Sequence, residues 1–186
     1  MNAPAAGLAI ERASSTLLIV DLQARLMPAI ADGEAVVAKA AFLADVARRL
    51  GVPILATEQN PAGLGRTVPE LQPYATEPFE KRHFSASRET GFFERLPADR
   101  KTVVVAGAET HVCVLQTVLG LLDRGYSVAA VSDAVGSRYP ADKEAGLRRM
   151  QAHGADIVSA EMVAFEWLDT CDDPEFRPVI SLVKRL

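Results

Sequence analysis

The run Val103-Val-Val-Ala-Gly-Ala-Glu-Thr-His-Val-Cys113-Val-Leu-Gln-Thr-Val-Leu-Gly-Leu-Leu-Asp-Arg124 joins an apolar segment to a helical one through a short polar turn. Thr102 to Ala106 is β-branched and apolar without alternation, the pattern of a central parallel strand covered on both faces. Thr110 is an expected helix N-cap, because its hydroxyl can accept from an amide one turn on. Cys113 then falls in the first turn of the helix, where free N–H groups and the positive end of the helix dipole favour a thiolate. A cysteine in that position is a candidate nucleophile.

Working outward, Thr16-Leu-Leu-Ile-Val-Asp21 is a second continuous apolar run, and it ends in a carboxylate. A helix is predicted over 34–50 from the periodicity of Val37, Ala41 and Ala44, with Gly51 as its C-terminal stop. Further strands are predicted over 53–57, over 78–81 as a short edge strand carrying Lys81, over 126–131 and over 155–159. Pro69 to Pro78 reads as irregular, Phe92, Phe93 and Leu96 as a helical segment, and Asp133 and Ser137 as marking a loop. Helices are predicted over 142–153, 161–168 and 174–186. Strands and helices alternating at this spacing give βαβ units, hence an α/β fold: a three-layer α/β/α sandwich around a mostly parallel sheet.

The chain has 186 residues, enough for one domain over 1–186 that buries roughly 70% of its unfolded surface. Residues 1–15 lack a continuous apolar core and read as a loose lead-in, not a signal peptide. A formal net charge of −4 offers no basic footprint for nucleic acid, and no segment reaches membrane-spanning length. Two cysteines, Cys113 and Cys171, give no disulfide framework, so the expected compartment is reducing, the cytoplasm.

Taken singly, Asp21 reads as a turn aspartate and Lys81 as a solvated charge. Together with Cys113 they stand at or just beyond the carboxyl ends of three strands of one sheet, and such ends converge on one crevice. A carboxylate can take the thiol proton and return it to a leaving group, an ammonium can hold a thiolate, and helix amides can hold an oxyanion.

Leu17-Leu-Ile-Val-Asp21-Leu-Gln23, Glu80-Lys81 and Gly107-Ala-Glu-Thr-His-Val-Cys113-Val resemble the three signature motifs of the isochorismatase-like cysteine hydrolases. The likeness runs from about Thr16 to Met162 and is nearest to the isochorismatase domain-containing subgroup. It implies the sheet order 3-2-1-4-5-6, the triad Asp21, Lys81 and Cys113, and hydrolysis of a small amide or related acyl compound through a thioester. It also implies a cis Ala108–Glu109 peptide and an oxyanion hole made by the Glu109 and Cys113 N–H groups. Gln23, Gln59, Phe84 and Thr110 are the expected substrate contacts. The expected partners are a small-molecule substrate and further copies of the chain, without nucleic acid, membrane or cofactor.

Nicotinamidases of that superfamily carry an Asp-x-His pattern and a further histidine for a metal. This chain has Glu58-Gln59-Asn60 after its second strand and only His83, His111 and His153, so no metal is expected. Isochorismatases of siderophore synthesis can lack the cysteine that is present here. His111 reads as a pocket residue or a helix-terminal hydrogen bond, His153 as a helix C-terminal partner, and Phe165 and Trp167 as interface or core. Two other readings of the chain are a catalytically silent binding protein and a thiol sensor. All three triad types are present, and no resolving cysteine stands near Cys113.

Overall fold

Leu17 and Ile19 pack on one side of the central sheet and Leu18 and Val20 on the other, and all four are buried. The two-residue alternation of a strand puts successive side chains on opposite faces, so an unbroken apolar run means that both faces are covered. A computed structural model describes residues 8–185. Its strands are β1 (Ser15–Val20), β2 (Ile54–Gln59), β3 (Phe79–Lys81), β4 (Thr102–Ala108), β5 (Ser127–Gly136) and β6 (Asp156–Val158). They form a six-stranded sheet in the order β3-β2-β1-β4-β5-β6, with every pairing parallel.

The helices are α1 (Gly33–Arg49), a single turn α2 (Pro61–Leu64), α3 (Leu115–Asp123), α4 (Pro140–Ala152), α5 (Ala160–Leu168) and α6 (Phe176–Val183). α1, α5 and α6 cover the face of Leu17 and Ile19, and α3 and α4 cover the face of Leu18 and Val20. The architecture is the three-layer α/β/α sandwich that the sequence predicts. Gly51 ends α1 with φ +69°, a left-handed C′ position that a glycine takes without strain. Among the described residues no helix is long and apolar enough to cross a membrane.

Two elements differ from the prediction. β5 continues to Gly136, through the segment read as a loop at Asp133. Its pairing with β4 jumps from Val105↔Ala130 to Gly107↔Val135, so the strand bows out and rejoins. Inside that bow the Asp133 carboxylate accepts from the Ala160 N–H at 2.8 Å, at the N-terminus of α5, and lies 3.4 Å from Lys39. The segment through Phe92 and Phe93 is only a three-residue 3-10 turn, Phe93–Arg95.

Of the predicted lead-in, residues 1–7 lie outside the described residues. Ile10 is buried and its N–H donates to Glu166 at 2.6 Å, while Arg12 pairs with Asp173 at 2.6 Å. Leu186, the end of the last predicted helix, also lies outside. Trp167 belongs to the core and Phe165 is exposed.

Candidate active site

The ends of three strands, β1, β3 and β4, build the site, with β2 between the first two. Asp21 follows β1 directly with φ +51°, a left-handed conformation that aspartate tolerates better than most residues. Its Oδ1 accepts from the Thr57 hydroxyl at 2.7 Å, and its Oδ2 stands 2.7 Å from the Lys81 ammonium, with both side chains fully buried. Lys81 sits on the edge strand β3, beside its register partner Gln59 on β2, the strand between β3 and β1. The Lys81 Nζ donates to Gln59 Oε1 at 2.7 Å, to the Phe84 carbonyl at 3.0 Å and to the His83 carbonyl at 3.3 Å. An ammonium is a point charge with little directional preference, so these oxygens are what fix it.

Cys113 comes from the third strand end, β4. The five residues Thr110–Val114 form one π-helical turn before α3. The Thr110 hydroxyl makes no capping bond; it is buried without a hydrogen-bond partner among the described residues, which corrects its reading as an N-cap. The Ala108–Glu109 peptide is cis. On either side of Thr110 the turn is tied to the end of β5. Glu109 Oε2 accepts from the Arg138 N–H at 3.1 Å and from its Nε at 2.9 Å, and His111 Nδ1 lies 3.0 Å from the Ser137 hydroxyl. α4 presses on the same turn, so close that a Cβ on Gly146 would lie 3.1 Å from the His111 backbone nitrogen.

The Cys113 side chain is nearly closed off, 7% exposed. Burial, first, and the negative charge of Asp21, second, push its thiol up to about 12, while Lys81 draws it back. Desolvation and the like charge of Asp21 thus work against the thiolate that a helix start and Lys81 favour.

The profile of the isochorismatase domain matches residues 15–162. Mouse isochorismatase domain-containing protein 2A is 38% identical over 180 residues, which cover 92% of this chain and 83% of the mouse protein. The solved structure of the MAR1 ribonuclease of Caenorhabditis elegans is 34% identical with a TM-score of 0.89, covering 95% of this chain and 92% of that one. YcaC from Pseudomonas aeruginosa, solved with hexane-2,5-diol and covalent acrylamide, is 28% identical with a TM-score of 0.86, covering 94% and 91%. The chain belongs to the isochorismatase domain family.

Within this isochorismatase domain the expected substrate contacts divide. Gln23 is fully buried, and its amide bonds backbone only: Nε2 donates to the Gln59 carbonyl at 3.1 Å and the Gly65 carbonyl at 2.6 Å, while Oε1 accepts from the Gln59 N–H at 2.8 Å. Gln59 holds Lys81 through Oε1 and the Arg82 carbonyl through Nε2 at 2.8 Å. Gln23 is thus closed in behind the strand ends, while Gln59 is half-buried and braces Lys81. Thr110 is closed in as well, and Phe84 alone of the four keeps its side chain exposed.

Sequence reasoning missed Glu58, a fully buried carboxylate beside Gln59. It accepts from the Thr67 N–H at 2.7 Å and hydroxyl at 2.8 Å and from Arg66 at 2.9 Å. Burial alone would raise its carboxyl, but the Thr67 and Arg66 donors carry it below the usual range. Glu58 thus pins the 60–67 loop over the strand ends. No local signal separates such a carboxylate from an exposed one, because its partners lie eight and nine residues away. Among the described residues no three His, Cys, Asp or Glu side chains converge as a metal site would require. Cys171 is exposed.

Proposed function

We propose that this isochorismatase-domain chain is a cysteine hydrolase of a small amide or related acyl compound. The observation that carries the reading is the fully buried Asp21–Lys81 pair, 2.7 Å apart, whose charges both act on the Cys113 thiol. As the Cys113 sulfur attacks the acyl carbon, its proton passes to Asp21, and the negative charge moves from the carboxylate to the carbonyl oxygen. The Glu109 and Cys113 N–H groups receive that oxyanion, at a typical worth of roughly 3 kcal/mol per donor. Asp21 returns the proton to the leaving amine, and the thioester remains on Cys113. Asp21, again ionised, takes a proton from the attacking water and, as the second oxyanion collapses to the acid, passes it to the departing Cys113 sulfur, which restores the thiol and the carboxylate. Lys81 keeps its charge throughout and limits the cost of moving negative charge through a dry site.

The covalent acrylamide in the Pseudomonas relative supports a nucleophile on this fold that is open to a small amide-bearing reagent. An exposed second thiol, Cys171, suits the cytoplasm. The test is a turnover screen of small primary amides, carbamates and N-acyl compounds, with an RNA arm because the worm relative is named a ribonuclease. Wild-type protein is expected to hydrolyse a small acyl compound and Cys113→Ala to lose that activity completely. RNA cleavage that survives Cys113→Ala, with no acyl turnover, would refute the reading.

A further inference from the structure

Glu34, Ala38, Ala41, Asp45 and Arg48 follow one another along α1 at steps of four and three residues. At about 100° per residue they fall within a stripe about 80° wide. The opposite face, with Val36, Ala40, Leu43 and Ala47, is buried on the sheet, while the stripe faces outward. A groove runs along each flank of it. One, of about 590 Å³, is walled by Met27, Pro28, Val37, Val68 and Pro69. The other, of about 310 Å³, is walled by Phe42, Leu182 and Arg185. The middle of the stripe is alanine, so another helix can approach to about 8 Å and seat its side rows in the two grooves.

The charges on the stripe select the occupant. Glu34 stands at its N-terminal end and forms no ion pair among the described residues. Arg48 stands at its C-terminal end, 58% exposed, held in place by Asp45 at 2.8 Å and by the Tyr74 ring 4.7 Å below it. Ala41 lies midway, seven residues from each. A second copy related by a twofold axis at Ala41 runs antiparallel, so that Glu34 of each copy meets Arg48 of the other. A parallel copy would set acid against acid. The stripe is thus complementary to itself in one orientation, as an isologous interface requires. The groove walls from α6 and the 68–69 segment widen the contact beyond a 17-residue helix toward the roughly 800 Å² per partner of a stable interface.

We infer that two copies of this chain join through the outer face of α1, antiparallel about Ala41. The inference is independent of the proposed reaction. Sedimentation velocity on the full chain, over about 1 to about 100 μM to span ordinary affinities, tests it with Glu34→Arg and Arg48→Glu. Each variant alone sets like charges against each other and should weaken association at least tenfold, halving the assembly. Mixing the two variants should restore it. In a mixed pair the arginine introduced by E34R faces the glutamate introduced by R48E, and the unchanged Arg48 of the first copy faces the unchanged Glu34 of the second. Ala38→Arg, at an exposed position, should dissociate the pair without changing the circular dichroism spectrum. A wild-type monomer at the top concentration, an assembly indifferent to these changes, or variants that do not recover on mixing would each overturn the inference.

Discussion

Replacing Asp21 by Asn separates thiol reactivity from turnover. In the wild type the Cys113 thiol is pushed up to about 12 by burial and then by the Asp21 charge. A unit charge about 4 Å away, at an effective dielectric constant of about 20, is worth about 4 kcal/mol, or about three pKa units at most. Asn keeps the shape and removes the charge, while Lys81 keeps three carbonyl-type acceptors. The thiol should therefore titrate about one to three units lower, and the thiolate population at pH 8 should rise about 10- to 1,000-fold. Turnover should nevertheless fall by at least about 100-fold, because Asn can neither take nor return a proton. The assay is the pH dependence of iodoacetamide alkylation, followed by mass spectrometry of the Cys113 and Cys171 peptides, beside hydrolysis of the substrate found in the screen. An Asp21→Asn alkylation profile that is unmoved or shifted to higher pH would refute the electrostatic account, and retained turnover would refute the proton shuttle.

Lys81→Met works in the opposite direction: it should raise the Cys113 thiol further and slow its alkylation at pH 9. It also leaves a buried carboxylate without its cation, a loss of about 3 to 5 kcal/mol that should lower Tm by roughly 10 °C. Glu58→Gln tests the loop pin. The folded-state carboxyl of Glu58 is depressed, so its stabilisation is present above the ordinary carboxyl range near pH 4.3 and is lost as pH falls through the folded value. Urea titrations between about pH 7 and about pH 3.5 should show a loss of about 1 to 3 kcal/mol at neutral pH in the variant and a flatter acid limb. Gly107→Ala should cost more than about 2 kcal/mol, since φ +145° is strained for any side chain and a Cβ there would run into the Val20 carbonyl oxygen.

Much of this was legible in the chain because it is written locally. The unbroken apolar runs at Leu17–Val20 and Val103–Ala106 announce strands covered on both faces, and the family motifs add the order of the sheet. The three triad residues could be brought together on paper because parallel strands share their carboxyl ends. The π-helical turn was not legible, since no residue type codes for it and it is held by Glu109–Arg138, His111–Ser137 and the close approach of Gly146. The extension of β5 through Asp133 was hidden by its polar residues, whose partners lie on other elements. The protonation of Cys113 depends on burial and on Asp21, neither of which is contained in the sequence around the cysteine. Gln23 looks like a pocket amide until its backbone partners are seen.

Intact-mass analysis of protein quenched in acid during turnover of the substrate from the screen looks for the covalent intermediate itself. The account predicts an adduct with the mass of the acyl group, mapped to the Cys113 peptide, released by hydroxylamine and absent from Cys113→Ala. Turnover without any adduct on Cys113, unimpaired in Cys113→Ala, would contradict it.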